Sequence, residues 1–378
     1  MQKKSLVLAV AVALASGAVL AQSSVTVYGL VDIGYTNRGD ATVSGAGSKN
    51  EINSNQVDDS KIGFTGEEDL GNGNKALFVL EAVFHADDGN INGQRLFNKS
   101  FLGLSGNWGK AIAGRMTAPR ASLLTDIDPF AAGSIGGYFN VYSDGPGLSY
   151  DGWDPYTVSN VAAYVSPSFG GFNVTAAYAT NALDQETLEN DGDFKTRALL
   201  PRYTNGPLDI GFSWQRITRD ASIPTGVTGL PAPLDDPKLT ALTLGGTYDF
   251  DVVKLGAFYD RTRLKTSNLK DITHKVWHLG VTVPLGKHAV LASYTQSRYD
   301  EDNNLGYDGE KAKQWALGYT YALSRRTSFY AFYSDIHNDD GRMASVDDSS
   351  NDGAIYNAAG DKIGAYERGI QIGLMHTF

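Results

Sequence analysis

Along this chain, segments in which apolar and polar residues alternate are joined by connections that are short and long in turn. Short connections fall at residues 167–171, 205–207, 249–251, 285–287 and 323–327. Long polar ones fall at 181–193, 219–237, 262–273, 299–312 and 338–368. A period of two marks a strand with two unlike faces. Sorting the connections by length gives each strand pair one plain end and one elaborated end. A soluble sandwich has no reason to sort its loops this way, whereas an up-and-down membrane barrel does, with short turns on the periplasmic side and long loops outside.

The first such segment, residues 25–35, puts Val25, Val27, Val31, Ile33 and Tyr35 on one face and Thr26, Tyr28, Leu30, Asp32 and Gly34 on the other. Further strands are predicted at 60–66, 76–84, 97–106 and 110–116. After a long insertion the pattern resumes at 158–166, 172–180, 194–203, 208–217, 238–250, 252–261, 274–283, 288–298, 313–322, 328–337 and 369–378. The total is about 16, and single-chain bacterial barrels have even counts. The stretches between, including 37–56, read as polar loops. Asn72-Gly73 suits a hairpin, because glycine tolerates the positive φ such turns need. The last segment places Ile370, Ile372, Leu374, His376 and Phe378 on one face. It ends the chain, so it must pair with the first strand to remove both sheet edges.

The first 21 residues read as a secretory signal. Lys3 and Lys4 supply the charged start, a short apolar run follows, and Val19-Leu20-Ala21 carries the small residues of a cleavage site. The mature chain then spans residues 22–378 as one barrel. Removing the two lysines takes the formal net charge from −10 to −12, which argues against nucleic acid as a partner. There is no cysteine, hence no disulfide and no thiol chemistry. No later run reaches 18 apolar residues, so no transmembrane helix is expected; the signal of a membrane β-barrel is far weaker per segment.

The insertion, residues 117–157, has neither helical nor strand periodicity. It holds five acids, one base (Arg120), six glycines, four prolines and seven aromatics. Connections this long are usually functional or disordered, and seven aromatics argue against disorder. It is expected to fill something the strands enclose.

Several pieces of the chain resemble the general porins of the neisserial and burkholderial type. They include Val27-Tyr-Gly-Leu-Val-Asp32, the run from Ser60 to Gly73, Phe101-Leu-Gly-Leu-Ser-Gly106, Gly114-Arg115, Tyr164 to Phe172, Gln314 to Ser324 and the terminal His-Thr-Phe. They span the mature chain in order. The resemblance implies an all-β, 16-stranded antiparallel transmembrane barrel in the Gram-negative outer membrane. It implies a homotrimer among outer-membrane lipid and lipopolysaccharide, passing small hydrophilic solutes and ions. It also implies a third outer loop folded into the lumen as a constriction, and recognition of the terminal Phe378 by outer-membrane assembly machinery. No cofactor is implied.

Selectivity in such a channel comes from the width and charge of its narrowest ring. Alternation assigns the faces. With Ile62 and Phe64 facing lipid, Lys61 faces the lumen; with Leu102 and Leu104 outside, Lys99 faces in; with Ile112 and Met116 outside, Arg115 faces in. With Ala76, Phe78, Leu80, Ala82 and Phe84 outside, Glu81 faces in. A charge on the lipid face would cost about 2–4 kcal/mol at the midplane. Lys61, Lys99 and Arg115 thus form an expected basic wall. Asp126 and Asp128 are the expected opposing acids, and Arg120 and Glu81 are further lumen candidates. Thr157 and Met375 stand where the family carries bases, so mild selectivity is expected.

Other readings fit less well. A substrate-preferring channel differs only in its constriction. A barrel enzyme would need a catalytic group at a strand end, and no constellation qualifies. A soluble secreted β-protein would need neither sorted loops nor the final strand. The run from Asp300 to Glu310 fails as a calcium loop, since Leu305 and Lys311 stand where Gly and Glu are required. His274 and His278 would sit roughly 13 Å apart along a strand, too far to share a metal.

Overall fold

The structure, a computed structural model, describes residues 24–91, 96–131, 133–143, 156–183, 192–223, 234–300, 309–347, 353–357 and 362–378. The expected signal segment, and Asp144, Asp151 and Asp154 of the insertion, lie outside the described residues.

In chain order the elements are β1 (Ser24–Ala41), β2 (Lys49–Ser54), β3 (Lys61–Gly71), β4 (Asn74–Val83), β5 (Lys99–Gly106) and β6 (Gly109–Thr117). Two helices follow, α1 (Pro119–Ile127) and α2 (Phe139–Tyr142). The chain then forms β7 (Thr157–Val165), β8 (Phe172–Ala179), β9 (Lys195–Asn205), β10 (Leu208–Thr218), β11 (Lys238–Asp249) and β12 (Lys254–Lys265). Last come β13 (Ile272–Leu285), β14 (His288–Tyr299), β15 (Lys311–Ala322), β16 (Thr327–Asn338), β17 (Ala354–Tyr356) and β18 (Lys362–Thr377).

All strands but the short β2 and β17 make one closed, 16-stranded antiparallel barrel, as the sequence pattern requires. Closure is by β1, which pairs β3 on one side (Leu30↔Lys61) and β18 on the other (Ile33↔Leu374). The terminal residue completes the seam: Phe378 N donates to Gly29 O at 3.0 Å, and Gly29 N to Phe378 O at 3.1 Å. At the seam, β1 and β18 therefore leave no open barrel edge.

The alternation of burial shows which face is which. On β15, Ala312, Gln314 and Ala316 are buried while Trp315 and Leu317 are 41% and 51% exposed. The exposed side is apolar because lipid covers it, and the buried side carries the polar residues. Hydrophobic burial therefore lies inside the barrel, where the insertion packs on the wall, and not between sheets. Asn72 (φ +53°) and Gly73 (φ +76°) make the turn that returns β3 into β4.

Two features depart from the alternation. β1 and β18 run well past their apolar stretches, and β2 lies in what reads as a polar loop. Above the membrane both strand faces are wet, so the apolar period stops although the ladder continues. Met116, expected on the lipid face, is instead buried in the cluster under α1. The β6–β7 register slips between Gly114 and Met116 at Gly114 (φ +139°), and a one-residue slip turns a side chain to the other face.

Candidate pore constriction

The connection from β6 to β7 leaves the outer rim and turns inward. It begins with a helix that its sequence does not announce by period. Pro119 fixes φ at the first turn, where its missing N–H costs nothing, and Ala-Ser-Leu-Leu offers no β-branched run to resist. Ala121, Leu123, Leu124 and Ile127 are buried against the inner wall of β9 to β12. The chain then crosses β13, and α2 packs on β14 and β15.

Three polar latches hold this path. Arg120, on α1, is fully buried. Its Nε donates to Thr243 Oγ1 (3.1 Å) and Asp260 Oδ2 (3.0 Å), and its Nη2 to Asp260 Oδ2 (2.7 Å) and Thr262 Oγ1 (3.0 Å), with Tyr142 OH as a further partner. The second latch is Asp128. Its carboxylate accepts the backbone N–H of Phe130 (3.0 Å) and of Tyr138 (2.9 Å), folding the segment between them, and sits 3.8 Å from His278 Nε2 on β13. The third is Ile135 O, which accepts from Gln314 Nε2 on β15 (2.9 Å) and from Asn140 Nδ2 (2.6 Å).

These contacts correct two expectations. Arg120 and Asp128 are not lumen charges; both are buried, and both fix the insertion to the wall. Asp126 is half exposed, but it does not face Lys61, Lys99 or Arg115 through any contact in the structure. It accepts from Arg202 Nη1 at 2.7 Å. Arg202 also forks onto Asp209, Nε to Oδ1 at 2.7 Å and Nη2 to Oδ2 at 2.6 Å. These three charges and Lys254 line a polar cleft of about 290 Å³ beside Leu123 and Ile127.

Lys61, Lys99 and Arg115 stand on β3, β5 and β6, and acids accompany the two lysines. Lys61 Nζ pairs with Asp58 at 2.9 Å, and Lys99 Nζ with Glu81 at 2.9 Å. Glu81 also accepts from Tyr28 OH at 2.9 Å. Arg115 donates from Nε to Asn98 O (3.0 Å), from Nη1 to Ser159 Oγ (2.7 Å) and from Nη2 to Thr157 Oγ1 (2.6 Å). Thr157, where a base was expected from relatives, serves as a neutral acceptor for Arg115.

Sequence reasoning missed the segment 55–60, which joins β2 to β3. Asn55 (φ +60°) turns it inward. Asp32 Oδ2 receives the N–H of Val57 (2.5 Å) and Asp58 (3.1 Å), while its Oδ1 receives Tyr330 OH (2.7 Å). Asn55 Oδ1 receives Ser60 N at 2.7 Å. The segment thereby delivers Asp58 and Asp59 to Lys61 and Lys99. Desolvation pushes the Asp59 carboxyl up, and Asp58 acts in the same sense, against Lys61 and Lys99. The signal lay in Val-Asp-Asp-Ser-Lys61 directly before an inward lysine, but no period marks a loop that folds back.

Among the described residues one trio could offer ligands to a cation, His85, Asp87 and Asp88 on the exposed β4–β5 connection. Asp87 Oδ1 also accepts from Ser54 N, at 3.2 Å.

The insertion packs inside the barrel, and fixed charges line the inner wall beside it. The model of the Gram-negative porin family matches residues 8–341. The chain is 34% identical to outer membrane porin protein 32 of Delftia acidovorans, covering all of both chains. Its fold superposes on an anion-selective porin from Comamonas acidovorans with a TM-score of 0.73, at 28% identity, over 94% of this chain and 100% of that one. It also superposes on the trimer form of OmpT from Vibrio cholerae with a TM-score of 0.65, at 17% identity, over 94% of this chain and 99% of that one. A closed barrel with its insertion latched inside and these likenesses along its whole length lead to one conclusion: the chain belongs to the Gram-negative porins, and it is an outer-membrane diffusion channel.

Proposed function

We propose that the pore discriminates only mildly by charge, because the charges at its narrowing are balanced. On the β3–β6 wall, Lys61, Lys99 and Arg115 face Asp58, Asp59 and Glu81, three cations against three carboxylates. In the cleft under α1, Arg202 and Lys254 meet Asp126 and Asp209, two against two. The observation that carries the reading is the pairing itself, Lys61 with Asp58 and Lys99 with Glu81. An ion then meets a transverse field between unlike charges, which orients polar solutes, more than a net potential that would reject one sign. Anion selectivity belongs by description to the Comamonas relative. Here the neutral Thr157 and Met375 leave fewer lumen bases to support it.

The test is a reversal potential across a planar bilayer under a salt gradient. The native channel should give a value near zero. Asp58→Asn with Glu81→Gln should move it toward anions, and Lys61→Gln with Lys99→Gln toward cations. A strongly selective native channel would overturn the balance. We further propose a homotrimer, supported by the family resemblance and the trimeric form of OmpT, with lipopolysaccharide around it and Phe378 as the end the assembly machinery recognises. No catalytic role is proposed.

A further inference from the structure

The cleft of about 290 Å³ under α1 lies at the short-turn end of the barrel. Its charges come from four separate elements. Asp126 sits next to the end of α1, Arg202 three residues before the end of β9, Asp209 at the second position of β10 and Lys254 at the first of β12. Thr247 on β11 adds a hydroxyl, and Leu123 and Ile127 form an apolar side. Internal pairing uses up part of this set. Arg202 grips both oxygens of Asp209, and its Nη1 reaches Asp126 Oδ2 at 2.7 Å. Thr204 Oγ1 adds a bond to Asp209 Oδ1 at 3.3 Å. Asp126 Oδ1 has no partner among the described residues, and the side chain is 46% exposed. Asp249 is registered opposite Lys254, but its Oδ1 takes the N–H of Asp251 at 2.9 Å, and among the described residues Lys254 pairs with no carboxylate. What remains is one ammonium and one carboxylate oxygen lining the same cleft.

A lone ion gains little there. An anion drawn to Lys254 meets Asp126 and Asp209 beside it, and a cation drawn to Asp126 meets Lys254 and Arg202. Repulsion then offsets attraction at similar range. A solute with a carboxylate and an ammonium on one small frame answers both groups at once, through two charge-assisted hydrogen bonds. The space is that of roughly ten waters, on the order of a small amino acid. An aliphatic stem fits against Leu123 and Ile127. The contacts are wet, so each is weak, as a channel requires if the solute is to leave again.

We propose that this cleft is a subsite for small zwitterions of the α-amino acid class. Lys254 Nζ donates to the solute carboxylate, and Asp126 Oδ1 accepts from its ammonium. Arg202 is a positioning residue that holds Asp126 beside Asp209. The subsite rests on the reading of a diffusion channel with balanced charges and names a solute class for it.

The experiment records ion current through the full-length channel in a planar bilayer at fixed salt while L-glutamine is added to both sides. Glutaramate, which keeps the carboxylate and lacks the α-ammonium, and glutaramide, which is uncharged, are probes of nearly the same size. A solute that dwells in the cleft lowers the current, and the effect saturates. Glutamine should reach half-saturation at a concentration about fivefold or more below either analogue. Lys254→Gln and Asp126→Asn, made singly, should each bring the three solutes together, and Lys254→Arg should keep glutamine ahead. If one of the two neutralised variants does not insert, the other decides. Equal half-saturation for the three solutes in the native channel overturns the proposal. So does glutaramate acting as well as glutamine, which would assign the cleft to anions, or a glutamine preference that survives the substitutions. The reversal potential on the same membranes separates the two readings. A value near zero without glutamine preference refutes the subsite alone, and glutamine preference in a strongly selective native channel refutes the charge balance alone.

Discussion

The fate of single charges in the insertion depends on whether water reaches them. Arg120 and Asp260 are both fully buried, and each is the other's countercharge. Arg120→Ala would leave Asp260 uncompensated inside the barrel, a loss of about 3–5 kcal/mol. The strand ladders do not involve this pair, so the barrel should still close while α1 leaves the wall. Single-channel recordings should show larger, noisier currents, and the unfolding temperature of the folded form on detergent gels should fall. Arg120→Lys, which keeps the charge and loses the fork, should be intermediate. Asp126 and Asp128, two residues apart, should part company in the same assays. Asp126→Asn frees one charge of Arg202 toward the lumen, so the reversal potential should shift toward anions with little change in stability. Asp128→Ala strips two buried N–H groups of their acceptor, at about 1–3 kcal/mol for each group left unpaired, so stability should fall with it.

At the scale of elements, the insertion follows a line of inward glycines. An added Cβ on Gly256 of β12 would lie 2.5 Å from Ile127 O, and one on Gly280 of β13 would lie 2.5 Å from Pro129 Cδ. Neither position strains the backbone; each is glycine because the insertion comes that close, through a backbone carbonyl at Gly256 and the Pro129 ring at Gly280. Gly256→Ala with Gly280→Ala should therefore push the insertion toward the barrel axis. The expected outcome is lower conductance and a smaller cut-off for neutral sugars in liposome swelling, with ion selectivity little changed. This line also shows what the sequence carries and what it does not. The strands were legible because lipid on one side and water on the other impose a period of two, and the place of the insertion followed from counting them. Face assignment put Lys61, Lys99, Arg115 and Glu81 inside because each alternates with apolar neighbours on its strand. It could not foresee that Arg120 and Asp128 would be buried, since their partners Asp260 and His278 lie 140 and 150 residues away and no local pattern links them. Nor could it find the fold-back of 55–60, which rests on Asp32 accepting two backbone N–H groups, or the slip at Gly114 that turned Met116 inward.

For the whole molecule, the balance of lumen charge depends on pH, and the direction follows from Asp59. Its carboxyl is pushed above the ordinary carboxylate range, near 4. It therefore takes up a proton as pH falls from neutral. Protonation removes one negative charge beside Lys61 and Lys99 and leaves their positive charges in place. As pH falls from neutral toward the ordinary carboxylate range, the wall loses this negative charge, and anion preference should rise. The reversal potential measured at successive pH values should drift toward anions over that window. In Asp59→Asn the charge is already gone, so the channel should start with the greater anion preference and show no drift there. Substituting Asp220, an exposed acid of an outer loop paired with Lys195 at 2.9 Å, should leave the drift as it is. A drift that survives Asp59→Asn would move its origin away from the β3–β6 wall, and with it the claim that this wall sets the pore's charge preference.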